Sequence, residues 1–181
     1  MGHVRLPADE RELRHLLDGA VNGDDVALAM LVRRTQPRVW RVCRALGSQG
    51  EVEDLVQETY LRAMRSLPSY RRDAPIGAWL ASIARNVCAD HVRRRSRQRR
   101  LLQRLRTERP QSQHPGPGAA LDELLGKLDR ERREAFVLTQ VSGLSYAEAA
   151  DAAGCPIGTI RSRVARARAD LVALVEEAEA R

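Results

Sequence analysis

The chain of 181 residues has room for one or two small domains. Apolar residues make up 43% of the sequence and aromatic residues only 3%. This composition, with frequent Ala, Leu, Arg and Glu, favours helices over sheet. No apolar run approaches the roughly 20 residues that a membrane span needs, and the N-terminus lacks the apolar segment of a signal peptide. The sequence therefore predicts an all-α, cytoplasmic protein with no membrane insertion.

The net charge of +7 is concentrated in one segment. Residues 91–118 carry nine basic and one acidic group, whereas the blocks on either side are nearly neutral. Such a run is typical of contact with nucleic acid or another acidic surface, and a solvated run that only aids solubility explains it as well. Residues 107–118 hold three prolines and two glycines and cannot bury a core. We therefore expect two small helical domains, at residues 9–100 and 119–176, joined by a flexible basic linker at residues 101–118.

Apolar residues at helical spacing predict four helices in the first domain, at residues 9–20, 26–46, 51–67 and 76–95. Residues 1–8 are predicted to be a disordered tip, and residues 177–181 a frayed tail. Asp24 or Asp25 is predicted to cap the second helix. Pro37 is expected to kink or end that helix.

The predicted helix 51–67 has an apolar face and a polar face. The apolar face consists of Val52, Val56, Thr59, Tyr60, Ala63 and Leu67. The polar face presents Asp54, Gln57, Glu58, Leu61 and Arg65. An apolar anchor within a polar rim is typical of a docking patch. A solvated face with helical ion pairs such as Glu58–Arg62 explains the same pattern.

A polar loop after Pro68 carries Tyr70 beside Arg71 and Arg72. The tyrosine ring could stack on an unpaired base while the arginines hold phosphates, and equally the ring could cover the end of the core. In the next helix, one face groups Trp79, Asn86, Asp90 and Arg93. The asparagine on this face can read a base edge, or it can serve an ordinary structural role.

Residues 119–128 and 129–141 are predicted to form two helices, the second capped by Asp129, before two shorter helices around a tight turn. Ser145, with Glu148 three residues later, matches a capping box. Gly154 suits the left-handed end of a helix, and Pro156 suits the start of the next. The last helix has an apolar stripe at Ile157, Ile160, Val164, Ala167, Leu171 and Leu174.

The opposite side of that last helix mixes small residues with arginines, which suits close approach to DNA. The pair of helices therefore predicts a helix-turn-helix with its second helix in the major groove. An ordinary helical hairpin with a solvated arginine face is the alternative. The three cysteines, Cys43, Cys88 and Cys155, show no metal-ligand spacing and are predicted to be small buried hydrophobes. Without a nucleophile–base pattern or a phosphate loop, we expect no enzyme, no cofactor and no metal.

Three segments together resemble one family: EDLVQETYLRAM at 53–64, WLASIARNVCADHVRRR at 79–95 and LSYAEAADAAGCPIGTIRSRVARAR at 144–168. In this order they resemble the extracytoplasmic-function (ECF) sigma factors, compact bacterial initiation factors with two helical domains joined by a linker. The resemblance covers about residues 10–105 and 119–175. It implies a specificity subunit that binds core RNA polymerase and directs promoter recognition, melting and transcription initiation.

The resemblance also implies a role for each surface. Core polymerase, through its β′ clamp helices and its β subunit, is the implied partner of Asp54, Gln57, Glu58 and Leu61. The −10 promoter element is the implied partner of Tyr70, Arg71, Asn86 and Arg93. The −35 element is the implied partner of Pro156, Gly158, Thr159, Arg161, Ser162 and Arg166. The family further implies a protein that is monomeric, free or bound to polymerase, and the two-domain layout permits clamping by an anti-sigma protein.

Two other classes of protein fit the residues alone. One is a helix-turn-helix repressor or activator that acts without being a polymerase subunit, and it predicts tight, specific duplex binding by the isolated protein. The other is a helical interaction protein whose arginine-rich run binds RNA or acidic partners. That protein predicts no change in promoter use on substitution of Arg161 or Arg166.

Overall fold

The computed structural model describes residues 8–48, 50–103 and 119–180, and all regular structure in these ranges is helical, as predicted. The helices are α1 (Ala8–Val21), α2 (Asp25–Leu46), α3 (Val52–Ser66), α4 (Ile76–Gln103), α5 (Ala119–Lys127), α6 (Arg130–Phe136), α7 (Tyr146–Ala153) and α8 (Ile157–Glu179). A 3₁₀ turn (Leu67–Ser69) follows α3, and a π-helical turn (Val137–Val141) follows α6. In the described part of the chain, no helix is both long and apolar enough to cross a membrane.

Helices α1 to α4 form the first domain around one apolar core. Asp24 caps α2, its carboxylate accepting from the N–H groups of Val26 and Ala27. Pro37 does not end α2, because its missing N–H leaves only one helical hydrogen bond unmade and its side chain lies at the exposed surface. The predicted helix over 26–46 is therefore confirmed, and of the two expectations for Pro37, a kink or a boundary, the boundary is wrong.

The buried face of α3 differs from the predicted one at a single important position. Val56, Thr59 and Ala63 are buried as expected, but Leu55, which the apolar stripe left out, is also buried. Its Cδ1 lies close to Gly47, at the end of α2. The absence of a side chain at that glycine makes room for the leucine, and this is a tertiary effect that helical spacing in α3 does not reveal.

Two predicted boundaries are extended by the structure. Helix α4 continues to Gln103, beyond the predicted residue 95 and three residues into the predicted linker. The rest of that linker, and residues 1–7 of the predicted tip, lie outside the described residues, whereas Ala8, predicted to belong to the tip, begins α1. Helix α8 continues to Glu179, where the sequence predicts a frayed tail from residue 177.

Helices α5 to α8 form the second domain, and its helix-turn-helix agrees with the prediction. Ser145 and Glu148 make both bonds of the capping box. Gly154 ends α7 with φ 64° and ψ 39°, the left-handed conformation that glycine adopts without strain. The π-helical turn was not predicted. There Ser142 N–H donates to Val137 O, five residues back, at 2.9 Å.

The two domains contact each other. The guanidinium of Arg44 on α2 pairs with Asp122 on α5 at 2.8 Å, and that of Arg85 on α4 pairs with Glu134 on α6 at 2.8 Å. Helix α7 also packs against α4. The contact depends on residues far apart in the chain, so no local pattern in the sequence indicates it.

Candidate functional site

The four residues predicted to bind core polymerase lie on one side of α3. The side chains of Asp54, Gln57 and Leu61 are exposed, and Glu58 is half-buried. Leu61 keeps 46% of its surface exposed, so one apolar side chain stands at the surface within this polar face. Because the opposite side of α3 is buried, this polar face with one leucine is free to meet a partner.

Glu58 also belongs to a chain of ion pairs that joins α3 to α4. Its Oε1 lies 2.7 Å from Arg62 Nε, and Arg62 Nη1 lies 2.7 Å from Asp90 Oδ2. Asp90 accepts a second bond, at 2.5 Å, from Arg93. Hydrogen bonds from Arg62 and then from Arg93 hold the pKa of Asp90 below its ordinary value. The Glu58–Arg62 pair follows from the helical spacing of α3. Its connection through Asp90 to Arg93, a predicted DNA contact, depends on the packing of α3 against α4.

Tyr70 lies against the core at the start of the loop between the 3₁₀ turn and α4. Its ring centroid is 4.6 Å from that of Trp79, and its hydroxyl donates to Ala74 O at 2.5 Å. Of the two interpretations of this tyrosine, covering the end of the core is the one seen in the free protein. Arg71 beside it is fully on the surface and pairs loosely with Asp73 at 3.3 Å.

Asn86 and Arg93 lie on the exposed side of α4, about two turns apart. The amide oxygen of Asn86 accepts a bond from Arg85 Nη1 at 3.0 Å. Since Arg85 also pairs with Glu134, Asn86 lies at the edge of the contact between the domains. The structure therefore places all four predicted −10 residues on α4 or the loop before it, but it does not bring them into one cluster of contacts.

The predicted −35 residues share the exposed side of α8. Pro156, Gly158, Arg161, Ser162 and Arg166 are exposed and Thr159 is half-buried. Ile160, Val164 and Ala167 are buried on the opposite side. Ile157 was predicted to point inward but is 40% exposed. It is the first residue of α8, and the buried side of this helix begins only at Ile160. That single expectation is wrong, and the rest of the stripe through Ala167 is confirmed.

A cleft of about 500 Å³ runs beside this face of α8. Its walls are formed by Asp129, Glu131, Arg132, Thr159, Ser162, Arg163 and Arg166. Two arginines of the cleft are held by carboxylates: Arg163 by Glu131, and Arg132 by Asp170 at 2.7 Å. No local pattern in the sequence indicates Arg132 or Arg163 at this surface, because their carboxylate partners lie on other helices.

The cysteines are placed as small apolar residues rather than as ligands. Cys43 and Cys88 are fully buried in the first domain, and Cys155 is half-buried in the second. A hydrogen bond with Cys43, together with burial, raises the pKa of the Cys88 thiol. Among the described residues, no group of three or more His, Cys, Asp or Glu side chains is arranged to hold a metal ion.

Family comparisons define the class of protein that carries these surfaces. The family model of Sigma-70 region 2 matches residues 31–98, and that of Sigma-70, region 4 matches residues 118–171. The chain is thus a sigma-70-type protein with one region-2 domain and one region-4 domain. The ECF RNA polymerase sigma factor SigC of Mycobacterium tuberculosis is 40% identical over 178 residues, which cover 93% of this chain and 94% of the relative. The probable RNA polymerase sigma-C factor of Mycobacterium bovis matches equally well.

Two solved structures share the arrangement. CnrH, in complex with the cytosolic domain of CnrY, matches with a TM-score of 0.72 and 32% identity, over 92% of this chain and 98% of CnrH. The sigma factor RpoE of Bartonella quintana, in complex with the anti-sigma factor NepR, matches with a TM-score of 0.72 and 31% identity, over 82% of this chain and 96% of RpoE. The chain belongs to the ECF RNA polymerase sigma factors, and it is a transcription initiation factor that directs polymerase to promoters.

Proposed function

We propose that this sigma factor divides its work among three surfaces, beginning with core polymerase on α3. In this proposal Asp54, Gln57 and Glu58 form the polar rim, and Leu61 is the apolar anchor that enters the β′ clamp helices. The observation that carries the proposal is the clean division of α3 into a buried face and a polar face with an exposed leucine. The β subunit would be contacted by other parts of the chain.

The second surface would melt and read the −10 element. Tyr70 and Trp79 already form a fixed aromatic pair, so an unstacked base would meet an ordered ring. Stacking is worth about 1–3 kcal/mol per base and offsets the few kcal/mol needed to extrude it. Arg71 and Arg93 are exposed enough to contact phosphates, and the exposed amide of Asn86 can read a base edge.

The third surface would read the −35 element with the exposed side of α8. Arg161 and Arg166 can bind guanine edges or phosphates in bidentate fashion. Pro156, Gly158, Thr159 and Ser162 keep the start of the helix slender, so that it can enter the major groove. Holding both promoter elements at once would require core polymerase to fix the spacing of the two domains.

In this scheme the protein is not an enzyme, because polymerase supplies the chemistry and the sigma factor supplies specificity. It would work in the cytoplasm as a monomer, whether free or bound to polymerase. An anti-sigma protein is a further proposed partner, since the structurally similar RpoE of Bartonella quintana was solved with one.

Run-off transcription tests the scheme directly. Core RNA polymerase is assayed on a library of promoter fragments with and without this protein, and transcripts that start downstream of a shared −35/−10 pair are expected only with it. Asp54→Ala and Arg161→Ala should each reduce them, the second by roughly 5–150-fold, the range of one bidentate base contact.

Matched controls remove a charge of the same sign elsewhere. Glu53→Ala, an exposed acid next to Asp54 on α3, and Lys127→Ala, an exposed cation on α5, should leave transcription near the wild-type level. No added transcription, together with specific duplex binding by the protein alone, would contradict the scheme and favour a repressor or activator.

A further inference from the structure

Helix α1 lies outside the matched region 2, which begins at residue 31, yet it contacts the loop of residues 70–75 that carries Tyr70 and Arg71. Glu10 holds the end of this loop, since its Oε1 accepts the N–H of Ile76, the residue that follows the loop, at 3.1 Å. Ile76 is the first residue of α4, so its N–H has no partner within the helix. The carboxylate of Glu10 therefore caps a helix of 28 residues from a different helix.

Glu10 is an unusual residue to find in this position. Only 7% of its surface is exposed, and a buried carboxylate is stable only when it is paired. Arg14, one turn later on α1, supplies the pairing at 3.1 Å from the same oxygen. Burial, and after it the charge of the Glu10 carboxylate, raises the pKa of Tyr70.

A second contact from α1 holds the middle of the loop. Asp18 accepts a bond from the guanidinium of Arg72. Arg72 has φ 62°, and among the described residues other than glycine it alone has a positive φ. Such a conformation is strained for a residue with a side chain and persists only when its surroundings hold it. The ion pair with Asp18 is the contact that holds the Arg72 side chain.

We propose that Glu10 and Asp18 are positioning residues for the −10 element: α1 holds the loop of residues 70–75 in the shape in which Tyr70 and Arg71 meet DNA. The inference rests on the proposed −10 role of that loop. It assigns to α1 a part in promoter discrimination, separate from binding to core polymerase, because the polymerase face of α3 is made by other residues.

The test uses the full-length protein with core RNA polymerase and a promoter selected from the run-off library. The measured quantity is the ratio of open complexes on the selected promoter to those on the same promoter with one −10 base changed. Glu10→Gln should lower this ratio about fivefold, because a neutral amide oxygen accepts the Ile76 N–H and the Arg14 guanidinium more weakly than a carboxylate does. Asp18→Asn should lower it about twofold to threefold, because its ion pair is half exposed.

Glu12→Gln is the matched control. Glu12 lies on the same helix and makes an interhelical ion pair with Arg34 on α2, at 2.7 Å, but it does not contact the loop. This variant should keep the wild-type ratio. Affinity for core polymerase and melting temperature are measured for all three variants. The two promoters compete for limiting protein in one reaction, so their ratio does not depend on the fraction that is folded.

The inference is supported if the ratio falls for the Glu10 and Asp18 variants with unchanged core affinity, and if Asp18→Arg combined with Arg72→Asp restores it. It is overturned if both variants match Glu12→Gln. Tyr70→Ala in the same assay separates the −10 role of the loop from the positioning role of α1. If Tyr70→Ala lowers the ratio and the α1 variants do not, only the inference is wrong. If Tyr70→Ala has no effect, the −10 assignment of the loop is wrong and the inference with it.

Discussion

Gly158→Ala is expected to stabilise the folded protein and to weaken its binding to DNA. Gly158 lies in the first turn of α8, and apart from its chain neighbours and the backbone of its own helix, no heavy atom lies within 4 Å of the position that a Cβ would take. Alanine is favoured over glycine in a helix by up to ~1 kcal/mol. Since nothing in the protein opposes the added methyl group, the free energy of unfolding should rise and the melting temperature should increase by a few degrees.

On DNA the same methyl group should be harmful. It would project by about 1.5 Å, one carbon–carbon bond, from the side of α8 proposed to face the major groove. Loss of one base contact by that helix is worth ~1–3 kcal/mol, and 1.4 kcal/mol corresponds to a tenfold change. We therefore expect at least a fivefold fall in transcription from a −35-dependent promoter, measured by run-off at limiting protein.

Gly126→Ala provides the matched control. Gly126 lies in α5, also with open space around its missing Cβ, and outside the proposed DNA face. This variant should be stabilised with transcription unchanged. Normal transcription by Gly158→Ala would refute the close approach of α8 to DNA at this residue, and a lower melting temperature would refute the argument from open space.

Three further substitutions test the packing and the polymerase surface. Gly47→Ala should lower the free energy of unfolding by ~1–3 kcal/mol in urea titrations. The reason is that the added Cβ would lie 2.3 Å from Leu55 Cδ1 and 2.5 Å from the carbonyl oxygen of Cys43. An unchanged free energy of unfolding would mean that the backbone can shift to make room. Burial raises the pKa of Tyr60 to about 12 from an ordinary 10, so the stability gained from its neutral form is complete below pH 10 and is lost as pH rises towards 12. Ultraviolet titration of the wild-type protein beside Tyr60→Phe checks this pKa. Ionisation of Tyr60 near pH 10 in the folded protein would contradict it. Leu61→Ala should weaken binding to core polymerase by roughly fivefold to thirtyfold, because burying the exposed part of a leucine in an interface contributes about 1–2 kcal/mol to binding. The melting temperature should not change. An unchanged affinity would show that Leu61 is not part of the interface.

The parts of the fold that the sequence predicted well are those set by neighbouring residues. The capping box of Ser145 and Glu148, the left-handed Gly154 and the Asp24 cap each depend on positions within four residues of one another. Such signals fix where a helix begins and ends regardless of what it packs on. The exposed side of α8 followed from the same local periodicity, which is why the predicted −35 residues share one face.

The parts that the sequence missed depend on residues from other helices. Leu55 is buried because Gly47 leaves space for it, and Ile157 is exposed because the domain core does not reach the first residue of α8. The π-helical turn breaks the regular helical spacing at Val137–Val141, and Val137, Leu138 and Thr139 are buried in succession there. A hydrophobic pattern read at 100° per residue has no means of indicating these contacts.

The first domain also shows that the segment shared across a family need not be the segment that folds. The region-2 match begins at residue 31, in the middle of α2, whereas Leu13, Leu16 and Leu17 of α1 are buried in the same core. Each buried leucine contributes about 1.5–3 kcal/mol, and a small domain has only about 5–15 kcal/mol in all. A fragment cut at the start of the match would lose these leucines and the Asp24 cap, and it would expose the apolar surface that they cover. Helix α1 is therefore part of the folded unit of region 2, although the match does not include it.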